Sequence, residues 1–280
     1  MSFKTIAVHL DDGERCATRI ALAARLAAVF EGKLVGIAPT GVPDVVVTMN
    51  SAVPDGVELV SLSAARLRQR AEATARAFDA RCQALRIPAQ SRVVVQEAVD
   101  AMTEHGRCSD LIVVGQTDRA HTPDGIAFDF PQQVLLHAGP PVLVVPYAGD
   151  FASIGRNVLV AWKGTREAAN AVRSALPVLR KAREVSLIEI GAPGDASAEN
   201  DMLTLASTWL RSHGVACTAQ REPALAGAGA GELLLSRAAE IGADLIVCGG
   251  YGHSRLREWV LGGVTHDLLE RMTVPVLFSH

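Results

Sequence analysis

Two stretches of this chain occur twice at a constant separation. Asp110-Leu-Ile-Val-Val-Gly115 recurs as Asp244-Leu-Ile-Val-Cys-Gly249, and Pro141-Val-Leu-Val-Val145 recurs as Pro275-Val-Leu-Phe-Ser279. Both offsets are 134 residues, so the segment between the two blocks has the same length in each half. A chain of 280 residues also fits two domains of ordinary size. We therefore predict a duplicated domain, with the boundary in the polar stretch Tyr147–Arg156 and with domains 1–148 and 149–280.

Each half alternates short apolar strands with alanine-rich helices. Thr5–Leu10 is followed by Cys16–Phe30 in the first half, and Asn157–Trp162 by Arg166–Ala182 in the second. This alternation predicts parallel strands joined by right-handed crossovers. Strands that are apolar throughout, such as Leu111–Val114, are typical of sheets covered on both faces. The predicted fold class is α/β: two tandem Rossmann-like domains, each a five-stranded parallel sheet flanked by helices, with a ligand crevice where strands 1 and 4 lie side by side.

Composition and charge exclude several classes of protein. The net charge is −3 and there is no basic run, which argues against nucleic acid as the main partner. Five cysteines without CxxC spacing predict reduced thiols rather than a disulfide framework. The first residues lack an apolar signal core, and no apolar run reaches the length that spans a membrane. We expect a cytoplasmic protein without a membrane association.

The loop that follows the repeated Asp-Leu-Ile-Val strand differs between the halves. The second copy reads Gly249-Gly-Tyr-Gly252, then nine residues, then Gly262-Gly263. The first copy has other residues at the counterparts of Gly252, Gly262 and Gly263, namely Asp118, Phe128 and Asp129. One glycine-rich loop has been kept and the other lost, which predicts one working site and one disused site.

The second loop has the features of a phosphate cradle. Glycines let a ligand approach the backbone closely. The predicted helix Val264–Arg271 begins where the loop ends, so free N–H groups at Gly262–Thr265 and the helix dipole favour an anion. His253, Arg255 and Arg257 would add positive charge at the mouth. The alternative is that the glycines only form a tight structural turn.

The spacing Gly249-x2-Gly252-x9-Gly262, between an Asp-Leu-Ile-Val strand and a Pro-Val-Leu strand, resembles the nucleotide-binding signature of universal stress proteins. Both halves share the resemblance, which makes the chain similar to a tandem member. The resemblance implies an adenine nucleotide alpha hydrolase-like fold, ATP or AMP as ligand, Mg²⁺ as a companion ion, and a role in stress survival without an established reaction. The residues that it places at the nucleotide are Gly249, Gly252, His253, Arg255, Gly262, Gly263, Val264, Thr265 and Lys163.

Two positions depart from that family pattern. The pattern has Ser or Thr after its last glycine, whereas Gly263 follows Gly262 here, with Thr265 slightly further on. The pattern also favours Asp after strand 1. Asp11 holds that place in the first half, but Lys163 holds it in the second. Lysine cannot accept hydrogen bonds as aspartate does, although it can contact phosphate.

The first loop is predicted to be closed to a triphosphate. Phe128 replaces a glycine and blocks approach to the backbone, and Asp129 places a carboxylate where phosphate would lie. Two like charges about 4 Å apart repel by ~4 kcal/mol at an effective dielectric constant near 20. We therefore expect one nucleotide per chain.

Three hypotheses on function remain. The main one is a stress-response protein that binds adenine nucleotide in its second half as a regulatory signal. The second is an interaction protein, with unknown protein partners, in which the loop is only a turn. The third is a slow ATPase that uses Lys163 and magnesium. The sequence offers no convincing nucleophile, general base or metal site, and Cys248 is interpreted as a buried apolar residue.

The fifth strands, Val142–Pro146 and Val276–Ser279, are apolar and would lie at sheet edges. Exposed apolar edges promote aggregation, so we expect these two strands to pair and to make the chain an intramolecular pseudo-dimer, with a homodimer of whole chains as a further possibility. The long connection 41–58 is interpreted as a lid, a partner surface or a simple mobile loop.

Overall fold

A computed structural model of the chain describes residues 2–41, 54–118, 129–191, 201–224, 227, 229–251 and 263–280, with the side chains of 54–62 outside that description. The chain divides into two compact units, Ser2–Pro140 and Pro141–His280. None of the helices in the described residues is long and apolar enough to span a membrane.

The described residues of the first unit contain four parallel strands in the order β3-β2-β1-β4. The strands are β1 (Thr5–His9), β2 (Lys33–Pro39), β3 (Ala89–Val94) and β4 (Leu111–Gly115). The helices described in this unit are α1 (Cys16–Phe30), α2 (Pro54–Ala84), α3 (Ala98–Gly106) and α4 (Phe130–His137). The alternation of strands and helices predicted for this half is therefore present.

In the second unit, the part of the chain that the structure describes forms six strands in the order β5-β10-β9-β6-β7-β8. They are β5 (Val142–Val145), β6 (Asn157–Trp162), β7 (Glu184–Gly191), β8 (Thr218–Pro223), β9 (Leu245–Gly249) and β10 (Val276–Ser279). The helices are α5 (Arg166–Leu179), α6 (Met202–Ser212), α7 (Ala230–Glu240) and α8 (Gly263–Arg271). The five strands of the second repeat are parallel, as predicted, and β5 joins them in the antiparallel direction.

The repeated sequences occupy equivalent places in the two units. The registers are Ile6 opposite Leu111 in the β1–β4 pair, and Val158 opposite Leu245 in the β6–β9 pair. In both units, strands 1 and 4 of the repeat are therefore neighbours, which confirms the predicted topological switch. Extending this correspondence along the chain makes Lys163 the counterpart of Asp11.

The core consists of aliphatic side chains, as the composition of 49% hydrophobic and 4% aromatic residues requires. The central strand residues Leu111–Val114 and Ile246–Val247 are completely buried. Helix α2 lies so close to β2 that a Cβ on Gly36 would come within 2.8 Å of the Phe78 ring. Strands that are covered on both faces have continuously apolar sequences. The prediction of a parallel sheet from the sequence depended on this pattern.

One predicted connection is partly wrong. Residues 41–58 were interpreted as a long connection, but α2 begins at Pro54. Proline is favoured at the first position of a helix. Residues 42–53, which include the apolar part of that segment, lie outside the described residues.

The predicted pairing of the fifth strands is confirmed. Strand β10 pairs antiparallel with β5, with Val276 opposite Val144 and Leu277 opposite Leu143. These four side chains are at most 1% exposed. Strand β5, which belongs to the first repeat in sequence, lies in the second unit because its hydrogen-bonding partner is there.

Removing β5 should therefore destabilise the second unit. A fragment of residues 151–280 leaves one apolar edge of β10 without a partner, and such an edge promotes association. We expect this fragment to form a dimer or to aggregate, as measured by light scattering after size-exclusion chromatography. A fragment of residues 141–280, which keeps β5, is the matched control and should associate less. A stable, soluble monomer of 151–280 would contradict the importance of this pairing.

Candidate functional site

A pocket opens in the second unit at the carboxyl ends of β6, β7 and β9, where ligands bind in open α/β sheets. Its volume is about 180 Å³. It is lined by three groups of residues: those following β6 and starting α5 (Ala161, Trp162, Lys163, Thr165, Ala168), those of β7 and α7 (Ile188, Ile190, Ala230, Leu234), and those of β9 and α8 (Cys248, Gly249, Gly263, Val264, Thr265). The ligand crevice predicted at the topological switch is therefore present as a cavity in the second unit.

One wall of the pocket is apolar. Ile188 and Ile190 come from β7, and Leu234 from α7. Helix α7 approaches α8 closely, because a Cβ on Gly231 would lie only 2.4 Å from the Cβ of Asp267. Gly231 therefore has a packing role at the start of α7.

The turn between β6 and α5 forms the floor of the pocket. Gly164 has a φ of +66°, which few other residues adopt. Thr165 caps α5, its Oγ1 accepting a hydrogen bond from the Ala168 amide at 3.2 Å. Trp162 is 8% exposed, and its indole N–H has no hydrogen-bond partner among the described residues. The indole nitrogen itself is buried, so Trp162 lines the pocket through other atoms.

Gly249 lines the pocket, but packing alone explains why it is glycine. A Cβ at this position would lie 2.5 Å from the Ala168 amide nitrogen and 2.6 Å from the Glu167 carbonyl carbon. Any side chain would push the start of α5 away from the end of β9. The glycine therefore fixes the shape of the pocket, whether or not it touches a ligand.

The start of α8 faces the pocket. Gly263 is exposed, and a Cβ there would meet no atom within 4 Å. Thr265 is 3% exposed, and its Oγ1 accepts a hydrogen bond from the Tyr251 amide at 3.4 Å. The Thr265 hydroxyl thus binds the backbone at the beginning of the loop.

Five of the nine predicted site residues come together in this pocket: Lys163, Gly249, Gly263, Val264 and Thr265. Gly252, His253, Arg255 and Gly262 lie outside the described residues, as do Arg257 and Phe128. Sequence reasoning missed the apolar wall of β7 and α7. Alternation at the end of β7 could have indicated Ile188 and Ile190, but no local pattern pointed to Leu234.

Comparison with known families identifies this half of the chain. Residues 155–280 match the model of the Universal stress protein family. These residues belong to the universal stress protein family. No curated protein sequence matches the chain.

Solved universal stress proteins share the fold over almost the whole chain. The protein from Archaeoglobus fulgidus DSM 4304 is 17% identical with a TM-score of 0.72, covering 98% of this chain and 95% of its own. A putative universal stress protein from Pseudomonas aeruginosa UCBPP-PA14 is 16% identical with a TM-score of 0.59, covering 99% and 93%. At these identities the similarity establishes the fold of both halves and nothing about their ligands.

A universal stress protein solved in complex with cAMP matches half of the chain. It is 21% identical and covers 52% of this chain and 98% of its own, with a TM-score of 0.38. That score is too low to say anything about the ligand of this chain.

In the first unit, an arginine occupies the corresponding crevice. Arg19 is 3% exposed, and its guanidinium donates from Nε to the His9 carbonyl at 2.8 Å and from Nη2 to Asp11 Oδ2 at 2.7 Å. A Cβ on Gly115, at the end of β4, would lie 2.6 Å from Nη1. Burial would raise the pKa of Asp11, but Arg19 holds that pKa below its ordinary value. The Asp11 carboxylate is therefore paired with Arg19 of the same chain.

Asp129 stands at the N-terminus of α4, at the counterpart of Gly263. Its Oδ2 accepts a hydrogen bond from the side-chain amide of Gln133 at 2.8 Å. A carboxylate is favourable at this end of a helix, and it occupies the place where a ligand anion would be attracted.

His9 lies beside this ion pair and is 1% exposed, with its ring centroid 4.6 Å from that of Phe130. Its Nδ1 is 3.4 Å from Asp11 Oδ2, yet neither ring nitrogen has a hydrogen-bond partner among the described residues. Burial lowers the pKa of His9 from 6.5 to about 4, although the Asp11 charge opposes this. The imidazole is therefore neutral in the folded protein at neutral pH.

The buried His9 should make stability depend on pH. The unfolded chain binds a proton near pH 6.5 and the folded chain only near pH 4, so the free energy of unfolding falls as pH falls through this window. Between pH 7 and pH 5 the loss should be about 2 kcal/mol. Urea unfolding of His9→Asn, which cannot titrate there, should show a pH dependence weaker by that amount. Equal pH dependence in the parent and the variant would show that His9 is not neutral and buried.

Proposed function

We propose that this universal stress protein binds an adenine nucleotide, ATP or AMP, in the domain 149–280 as a regulatory ligand in a stress response. The observation that carries the proposal is the pocket itself: an apolar wall and a helix N-terminus face one cavity at the topological switch. A nucleotide has the matching parts, an apolar planar base and an anionic phosphate.

The base would lie against the apolar wall. Ile188, Ile190 and Leu234 offer apolar surface to a planar ring. Small-molecule sites commonly combine a mostly apolar lining with a few polar groups that fix orientation.

The phosphate would lie at the start of α8. The first N–H groups of a helix have no partner within it, and the helix dipole adds partial positive charge. Among the lining residues that the structure describes, none carries a carboxylate. An anion at Gly263 would therefore meet attraction without a repulsive neighbour in that part of the pocket.

A regulatory ligand fits the pocket better than a turnover reaction. Cys248 lines the pocket, but burial raises the pKa of its thiol to about 12, so it is not a thiolate nucleophile at neutral pH. The slow ATPase remains the alternative, with Lys163 at the phosphates and Mg²⁺ brought by the nucleotide. All five cysteines are unpaired, which supports a cytoplasmic location.

Substitution of Gly263 tests the phosphate assignment. In the parent, ATP at a hundred times its dissociation constant should add about 2.7 kcal/mol of stability, seen as a melting shift of roughly 5–10 °C. Gly263→Asp places a carboxylate where the phosphate would lie and should abolish the shift. Space around the Cβ and the favourable position of an acid at a helix start should keep the fold intact.

Gly263→Asn is the matched control, because asparagine has the same shape without the charge. It should retain most of the ligand-induced shift. If Gly263→Asp responds to ATP as the parent does, the phosphate does not lie at α8. If the parent itself shows no shift with ATP or AMP and carries no nucleotide in native mass spectrometry, the interaction-protein hypothesis is correct instead.

Stoichiometry tests the difference between the two units. Arg19 and Asp129 occupy the first crevice and its helix N-terminus with groups of the chain itself. Titration calorimetry at saturation should therefore give about one nucleotide per chain. Two equivalent sites would contradict the interpretation of the first unit as closed.

A further inference from the structure

We propose that the nucleotide bound by the second unit carries a phosphate on its ribose, at the 2′ or 3′ position, and that Lys163 binds this group. This inference rests on the proposed function and specifies the ligand class of the same pocket. It is carried by the position of Lys163 in the sheet, by the charge of the pocket lining, and by the difference between Lys163 and its counterpart in the first unit.

The strand order places Lys163 between the two halves of the ligand. Strand β6 lies between β7, which contributes the apolar wall, and β9, which leads toward α8. Lys163 follows β6 directly and lines the pocket. In a nucleotide, the ribose connects the base to the 5′-phosphate. With the base at β7 and the phosphate at α8, the ribose must lie in front of Lys163.

The charge of the lining suits an anion at that point. Lys163 is the one charged side chain among the pocket-lining residues within the described part of the chain. An ammonium group has three donors and no acceptor, so it cannot accept from a ribose hydroxyl as a carboxylate does. In dinucleotide-binding folds, an acidic residue selects a ribose hydroxyl and a basic residue selects a ribose phosphate.

The residue at the position of Lys163 differs between the two units, and the difference fits a different ligand. Asp11, the counterpart of Lys163, is held by Arg19. In the second unit, the backbone of α5, and not a guanidinium, lies against the end of the neighbouring strand, with the Ala168 amide nitrogen 2.5 Å from a Cβ on Gly249. Asp11 is therefore paired with an arginine of the same unit, whereas the equivalent backbone position in the second unit carries a lysine that lines a pocket.

Four ligands with the full chain separate the possibilities: AMP, ADP, adenosine 2′,5′-bisphosphate and adenosine 3′,5′-bisphosphate. ADP has the same number of phosphates as the bisphosphates, but both are in line at the 5′ position. By titration calorimetry, one of the two bisphosphates should bind at least tenfold more tightly than ADP and AMP, which corresponds to about 1.4 kcal/mol.

Two variants assign the effect to Lys163. Lys163→Met keeps the aliphatic stem without the charge, and the advantage of the bisphosphate should shrink to about twofold or less. Lys163→Asp introduces the residue found at the counterpart position and should make AMP the tighter ligand by tenfold or more, because the carboxylate repels the added phosphate.

The outcomes distinguish this inference from the proposed function. If AMP or ADP binds and neither bisphosphate gains tenfold, the ribose-phosphate inference is overturned and nucleotide binding stands. A bisphosphate advantage that persists in Lys163→Met overturns it as well, since another residue would then make the contact. If none of the four ligands binds, this inference is overturned, and the proposed function fails with it when ATP also gives no melting shift.

Discussion

The carboxyl edge of the second unit depends on how closely the start of α5 approaches the end of β9. That approach is set by Gly249, where even one methyl group would lie 2.5 Å from a backbone nitrogen. It fixes the turn that carries Lys163 and Thr165, and it fixes the distance from that turn to α8. The pocket exists because a strand and a helix meet at a glycine, and its chemistry is added by the residues around that contact.

The same contact explains how the two repeats diverged. Gly115 is the counterpart of Gly249, but there the neighbour is the end of the Arg19 side chain and not a helix backbone. Arg19 binds Asp11 and the His9 carbonyl. A buried guanidinium needs such partners because an unpaired buried charge is very unfavourable. The first unit thus keeps the sheet topology of the repeat while its crevice contains a self-contained ion pair.

The sequence predicted the fold well because its signals were local or repeated. Helix Cys16–Phe30 and strands Asn157–Trp162 and Val276–Ser279 have the predicted bounds. The duplicated blocks fixed the order of the remaining strands. The pairing of β5 with β10 followed from two apolar strands that each needed a partner.

The site was predicted only where its residues follow one another in the chain. Glycines and the helix start after β9 were recognisable from their spacing, and Lys163 from the repeat. Leu234 reaches the pocket from a distant helix, and nothing in its local sequence indicates that. Arg19 lies on a predicted amphipathic helix, where an arginine is ordinarily solvated, so its burial against Asp11 appears only in three dimensions. The positions of Leu234 and Arg19 both depend on packing between residues that are distant in sequence, which local patterns do not indicate.

The pairing of β5 with β10 has a consequence for the order in which the chain can fold. In the sheet, β10 lies between β5 and β9, yet in sequence it comes after both. During synthesis, domains fold as units from the N-terminus onward. Strand β5 is synthesised more than a hundred residues before β10, and β9 is also synthesised before it. Pairing of β10 therefore completes this part of the sheet, because until Val276–Ser279 have been synthesised the two apolar strands lack their shared neighbour.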